Sequence, residues 1–95
     1  MQFNETENPR ALKLSGVLKV SAADELHAVL DRYVQANHEV RLDVSEVEAC
    51  DITAIQLLYS AEKTAKGTGK LFLLGEPSAA MVRAFEDCGV NPRTR

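Results

Sequence analysis

The sequence contains few aromatic residues and no tryptophan, and aromatics make up 5% of its 95 residues. Its core must therefore be aliphatic, built from leucine, valine, isoleucine and alanine. Hydrophobic residues account for 45% and charged residues for 26%, as in ordinary globular proteins, which argues against global disorder. Because this length suits one domain and leaves no room for two, we expect a single domain over residues 1–95, with its core at about residues 10–91.

An excess of positive charge is also lacking, since 11 Lys and Arg stand against 14 Asp and Glu. Nucleic-acid binders need a basic stripe to neutralise phosphates, so we expect no nucleic-acid partner. The longest apolar runs, such as Leu71–Leu74, are far shorter than the ~20 residues of a membrane-spanning helix. Residues Met1–Arg10 are polar and lack the apolar segment of a signal peptide. We expect a cytoplasmic protein without membrane insertion.

Cysteine is scarce as well, and Cys50 and Cys88 form neither a C-x-x-C pair nor a zinc-type spacing with histidine. We expect both thiols to be reduced. Cys50 precedes a predicted helix start, where the helix dipole can lower a thiol pKa, but burial as a small apolar residue is the favoured interpretation. Cys88 is expected in the core. His27 and His38 have no nucleophile motif beside them and are expected to face solvent.

No phosphate-binding loop is present in the usual order of elements. Gly67-Thr68-Gly69-Lys70 follows a predicted helix and precedes a predicted strand, whereas a P-loop follows a strand and opens a helix. The acidic pairs Asp24-Glu25 and Glu86-Asp87 are typical of solvated helix faces rather than metal sites. We therefore predict no catalytic, metal-binding or cofactor-binding residues, no cofactor and no enzymatic activity.

Alternation of apolar and polar residues indicates most of the strands. The run Lys70–Leu74 is instead continuously apolar, which is typical of a strand covered on both faces or placed at the centre of a sheet. We expect a turn at Asn8-Pro9 and a connector over Ser45–Cys50. The predicted strands are Met1–Glu7, Arg10–Ser15 resuming over Val17–Val20, His38–Asp43 extended by Val44, and Lys70–Leu74.

Three stretches have helical spacing, and each follows a residue able to cap a helix: Ser21, Asp51 and Ser78. The helices are predicted to end near Asn37, at about Lys66 and before Gly89, and residues 91–95 to form a loose tail. The order strand, strand, helix, strand, helix, strand, helix predicts an α/β fold. We expect four or five strands in a mostly parallel or mixed sheet with helices packed on it.

Residues Val40–Leu58 combine a strand end, a short loop and a helix start at Asp51. In parallel α/β folds, ligands and partners bind at such positions. Asp51 has a purely structural interpretation as a helix cap. Ile52, directly after it, either packs inward or is exposed as a contact residue, and the sequence leaves both open.

Around this segment the sequence resembles a STAS domain, the family of bacterial anti-sigma-factor antagonists and the related domain of sulfate transporters. Residues Leu42–Val47, read LDVSEV, are similar to the family's L-D-L-S-x-V strand. Residues Asp51–Leu58, read DITAIQLL, are similar to its D-[ST]-x-G-x-x-x-L loop and helix start. The segments Gly16–Leu26, Gly69–Gly75 and Phe85–Val90 match the family's first helix entry, last strand and last helix.

The resemblance implies a non-catalytic regulatory protein that docks a partner protein of the anti-sigma factor or switch-kinase type. In the family's prototypes that kinase phosphorylates the residue after the loop aspartate, and phosphorylation ends binding. The partner-binding residues that the resemblance implies are Asp51, Ile52, Thr53, Ala54, Ile55 and Gln56.

The sequence departs from the family at these switch positions. Ile52 stands at the phosphoacceptor position and has no hydroxyl, Ala54 replaces the usual glycine, and Lys19 replaces an acidic residue. We therefore expect docking without the usual phosphorylation. The alternatives are a switch phosphorylated at Thr53, a STAS subunit of a lipid-transport ABC system or a signalling component, and a binder of nucleotides or lipids. No oligomeric state is predicted.

Overall fold

Strands and helices alternate along the chain in the order that the sequence predicts. The structure is a computed structural model that describes residues 1–7 and 10–89, so the turn expected at Asn8-Pro9 and the tail at residues 91–95 lie outside it. A short 3₁₀ helix, Val20–Ala22, precedes the first α-helix. The elements are β1 (Gln2–Thr6), β2 (Ala11–Leu18), α1 (Ala23–Ala36), β3 (Glu39–Cys50), α2 (Ile52–Gly67), β4 (Leu71–Leu74) and α3 (Ala79–Asp87).

Within the described residues, four strands form one sheet in the order β1-β2-β3-β4. β1 runs antiparallel to β2, whereas β2, β3 and β4 are parallel to one another. Crossover helices α1 and α2 connect the parallel strands, as such connections require. The predicted mixed sheet with packed helices is thereby confirmed. Over the described part of the chain, no helix combines the length and apolarity needed to cross a membrane.

The helices cover one face of the sheet, and the side chains of the central strands alternate accordingly. Leu12 and Leu14 of β2 are buried together with Val40 and Leu42 of β3, whereas the intervening residues face the side without helices. The core is largely aliphatic, as the composition requires. Tyr33 and Phe85 are the aromatic side chains in it among the described residues.

The predicted end of β3 is wrong. The strand does not stop at Val44 but continues through the expected connector, Ser45–Cys50. Leu12 pairs with Leu42 and Leu18 with Cys50, so that β3 uses two more residues than β2 over the same span, with irregularities at two points. These are β-bulges, and they interrupt the two-residue alternation on which the sequence prediction depended.

The carboxylate of Asp43 supports the first bulge. Its Oδ1 accepts hydrogen bonds from the Ser45 backbone N–H at 3.0 Å and from the Ser45 hydroxyl at 2.7 Å. A bulge removes a residue from regular pairing, and this carboxylate gives the Ser45 N–H an acceptor within its own strand. The same bonds lower the pKa of Asp43 from its ordinary value, with a smaller contribution from Lys13.

The predicted placement of the last strand is also wrong. β4 lies at an edge of the sheet rather than at its centre. Leu71 and Leu73 are 55% and 37% exposed, and they lie beside Glu39 and Arg41 of β3 on the helix-free face. A continuous apolar run does not by itself show whether a strand lies at the centre or at the edge of a sheet. Among the described residues, β4 pairs with β3 alone.

The predicted caps are confirmed for two helices and wrong for one. Asp51 accepts a hydrogen bond from the Ala54 N–H at 3.2 Å, and Ser78 accepts one from the Met81 N–H at 3.1 Å. Ser21 caps nothing, because α1 begins at Ala23 after the 3₁₀ helix and has no side-chain cap. The 3₁₀ turn supplies a backbone hydrogen bond at this helix entry, from the Ala22 N–H to the Lys19 carbonyl.

Gly16 in β2 has a φ of +80°, and an alanine there would be strained although space is available. We expect Gly16→Ala to lower the free energy of unfolding by roughly 1–2 kcal/mol, measured by urea denaturation. Gly67→Ala is the control, since α2 includes Gly67 and its added Cβ would meet no atom within 4 Å. The control is expected to leave stability unchanged or raise it by up to about 1 kcal/mol. An equal decrease in the free energy of unfolding of both variants would show that the positive φ at position 16 does not strain an alanine there.

Removal of the Ser45 hydroxyl is expected to raise the pKa of Asp43, because one of the two hydrogen bonds to its charged form is lost. A lowered native pKa stabilises the fold above the unfolded pKa, and this stabilisation disappears as pH falls through the native value. Ser45→Ala should therefore have less of this stabilisation at neutral pH, and as pH falls its loss should be complete at a higher pH than in the parent. NMR titration of the Asp43 carboxyl measures the change, with exposed Ser60→Ala as control. An unchanged Asp43 pKa in Ser45→Ala would show that the hydroxyl contributes nothing.

Candidate functional site

Asp51 connects three segments at the carboxyl ends of β2 and β3. Its Oδ1 accepts the hydrogen bond from the Ala54 N–H, and its Oδ2 accepts one from the Val20 N–H at 2.9 Å. Its backbone N–H donates to the Leu18 carbonyl at 3.1 Å. One residue therefore holds the end of β2, the 3₁₀ turn and the start of α2 in a defined relation.

Two large apolar side chains are exposed beside this carboxylate. Ile52, the first residue of α2, is 58% exposed, and Val20 is 68% exposed. Of the two interpretations that the sequence left for Ile52, the exposed one is therefore observed. Because the Val20 N–H bonds directly to Asp51, both side chains belong to one small surface. Contiguous exposed apolar surface marks interaction sites in many proteins, which makes this surface a candidate for one.

The six positions implied by the sequence divide into surface and core. Gln56 is exposed, and Asp51 and Thr53 are half-buried. Ala54 and Ile55 are only 1% and 3% exposed and pack into the core, so they support the surface from beneath. We call the accessible set the β2–α2 patch, which consists of Val20, Asp51, Ile52, Thr53 and Gln56.

Sequence reasoning missed Val20, which was read as the end of a strand. Its exposure depends on the 3₁₀ turn that follows β2 and on the bond to Asp51, which is 31 residues away in the chain. The available signal was weak: a valine placed between the polar residues Lys19 and Ser21. That pattern is common to many strand ends.

Cys50 lies directly before the patch but is not a reactive thiol. Burial and the neighbouring Asp51 carboxylate raise the pKa of the Cys50 thiol to about 11, so it stays protonated at neutral pH. The small apolar role favoured from the sequence agrees with its packing against the core, and Cys88 packs there in the same way. His27 and His38 are exposed, as predicted. In the described ranges, no group of three or more potential ligands is placed to hold a metal ion.

The family model described as "Mlab, STAS domain" matches residues 1–92. The chain belongs to the STAS domain family. The resemblance read from the sequence is thereby confirmed. No curated protein is similar enough in sequence to be matched to this STAS domain.

Solved structures agree with this assignment at the level of the fold. The unphosphorylated form of the anti-sigma factor antagonist SpoIIAA is 17% identical and superposes with a TM-score of 0.74, covering 96% of this chain and 84% of the other. The phosphorylated form of the Bacillus protein SpoIIAA is also 17% identical and superposes with a TM-score of 0.72, covering 96% of this chain and 86% of the other. A Thermotoga maritima protein proposed to be an anti-sigma factor antagonist is 17% identical and superposes with a TM-score of 0.70, covering 93% of this chain and 77% of the other.

Substitutions of Asp51 separate its two roles in this STAS domain. Asparagine retains one oxygen for the Ala54 N–H but has no second acceptor for Val20, so Asp51→Asn should lower the free energy of unfolding by about 1 kcal/mol. Alanine removes both acceptors, and Asp51→Ala should lower it by about 2 kcal/mol. Urea denaturation provides the measurement, with exposed Asp31→Ala on α1 as control. If Asp51→Asn is as stable as the parent, the bond to Val20 contributes nothing.

Proposed function

We propose that this STAS domain is a non-catalytic regulatory protein that docks a partner protein through the β2–α2 patch. The observation that carries the proposal is the exposure of Ile52 beside Val20 on a backbone that Asp51 holds in place. Burying an isoleucine side chain contributes about 1.5–3 kcal/mol. An apolar side chain on a backbone held in this way can serve as an interface anchor, since the backbone loses little conformational freedom on binding.

The same residue argues for docking without the usual phosphorylation. Ile52 stands where the family resemblance places the phosphoacceptor, and its side chain carries no hydroxyl. At this position the chain offers apolar surface for contact with a partner instead of a hydroxyl that a kinase could phosphorylate. Regulation of this complex would then depend on the partner or on its abundance rather than on a phosphate at this position.

Thr53 provides the alternative, because its hydroxyl lies in the first turn of α2 and its side chain is half-buried rather than enclosed. A phosphate there would add about −1.5 to −2 charges next to the Asp51 carboxylate. The helix N-terminus favours that charge, whereas the carboxylate and a docked apolar surface oppose it. Phosphorylation at Thr53 would thus weaken docking at the patch.

The partner classes that the resemblance implies differ in chemistry. They are a serine kinase of the anti-sigma factor type, the ATPase subunit of a lipid transporter, and a signalling component. Affinity capture followed by mass spectrometry distinguishes them by the identity of the bound protein. Tight binding of a nucleotide or an acyl chain to the purified domain would instead support the small-ligand alternative.

Ile52→Glu is expected to remain folded and to lose the captured partner. The side chain is mostly exposed, so the fold loses little, whereas a complex would bury the new carboxylate in an apolar contact. The matched control is Phe3→Glu, which introduces the same charge at an exposed apolar residue of β1. Capture from cell extract measures partner loss, and circular dichroism with thermal unfolding verifies the fold.

Retention of the partner by Ile52→Glu, or equal loss in Phe3→Glu, would exclude the patch as the docking surface. Mass spectrometry of the captured bait decides between the two modes of regulation. An unmodified bait bound to a specific partner supports docking without phosphorylation. Phosphate on Thr53, with loss of regulation in Thr53→Ala, supports the alternative.

A further inference from the structure

The outer side of β4 offers unpaired backbone groups. The Leu71 N–H donates to the His38 carbonyl and the Gly75 N–H donates to the Leu42 carbonyl, both in the direction of β3. Because successive residues in a strand direct their backbone groups to opposite sides, Phe72 and Leu74 present theirs outward. Among the described residues, no strand pairs with this side.

The devices that usually protect an edge strand are few here. The sequence LFLL contains no charged residue and no proline, and its register with β3 is regular, without a bulge. Within the part of the chain that the structure describes, its shortness, at four residues, is the one protective feature. The outer edge of β1 differs, since that strand reads QFNET and is mostly polar.

Apolar surface lies on both sides of this edge. Leu71 and Leu73 are exposed on the helix-free face of the sheet. On the helix side, a groove of about 130 Å³ runs between α2 and β4 and is lined in part by Tyr59, Phe72 and Phe85. An added strand would therefore find backbone partners and, for its alternating side chains, apolar contacts on both faces.

We propose that β4 is the contact between two copies of this chain, paired antiparallel about a two-fold axis at Leu73. In this register Phe72 lies opposite the partner's Leu74, and Leu74 lies opposite the partner's Phe72. Each of these pairs exchanges two hydrogen bonds, so the outward groups of both residues are used in both copies. The dimer continues the sheet from one copy into the other.

The local charges favour a second copy over a charged peptide. β4 itself is uncharged, and the two charged residues beside its leucines, Glu39 and Arg41, form an ion pair within one copy. Lys70, before the strand, donates to the Val34 carbonyl of its own chain. Two identical edges thus meet without unpaired charge, and the contact is isologous, as two-fold symmetry requires.

Cysteine substitution tests the register. In the proposed register, Leu73 faces the same residue of the second copy in a non-hydrogen-bonded residue pair of the antiparallel ladder. The Cα atoms of such a pair lie about 4.5 Å apart, which suits a disulfide. Leu73→Cys, on the axis, should therefore cross-link two copies on oxidation. Leu71→Cys would face the partner's Gly75, and the two introduced thiols would be offset by roughly 13 Å along the strands. Leu71→Cys should therefore not cross-link. The parent protein, oxidised in the same way, shows whether Cys50 or Cys88 forms a cross-link by itself.

Sedimentation over a range of concentrations tests the dimer itself. Leu73→Lys places like charges opposite each other at the axis and should raise the dimer dissociation constant about tenfold or more. Phe3→Lys, on the opposite edge of the sheet, should leave it unchanged. A parent that stays monomeric at millimolar concentration, or cross-linking at position 71 instead of 73, would overturn the proposal. Since Ile52 lies outside β4, this result is independent of partner docking.

Discussion

The two oxygens of the Asp51 carboxylate accept from N–H groups of two different segments, and the accessible surface at the carboxyl ends of β2 and β3 depends on this bridge. One oxygen satisfies the first turn of α2, which has no other side-chain cap, and the other fixes the turn after β2. Without the bridge, the turn that carries Val20 would lose its side-chain connection to the start of α2, where Ile52 lies. With the bridge, Val20 and Ile52 form one surface whose shape exists before any partner arrives, so that less entropy is lost on binding.

The one-sided sheet explains where contacts with other molecules can form. Since α1, α2 and α3 pack against one face, the buried core lies on that side of the sheet, and two groups of exposed apolar residues lie at its borders. Ile52 and Val20 lie at the carboxyl end of the central strands, and Leu71 and Leu73 lie at the β4 edge. Ile52 and Val20 lie at the capped start of α2. Leu71 and Leu73 lie in a strand whose outer backbone groups pair with no strand among the described residues. The two borders therefore suit different modes of association.

Prediction from the sequence succeeded where structure depends on nearby residues. The order of elements, the caps at Asp51 and Ser78 and the aliphatic core follow from local periodicity and cap chemistry. It failed where the deciding partner is distant in the chain. The continuation of β3 depends on bulged pairing with β2, the edge position of β4 on sheet order, and the exposure of Val20 on Asp51. The family was recognisable because its motifs are local as well.

The two bulges of β3 also determine how this strand tolerates changes in length. A residue inserted into or deleted from a regular strand turns every following side chain to the opposite face of the sheet. At a bulge, the surplus residue is already outside the alternation. One deletion there would leave Val44 and Val47 on the buried face, whereas one in the regular stretch before Asp43 would reverse them. A change of one residue in length should therefore disturb the buried face least between Asp43 and Cys50, close to the β2–α2 patch.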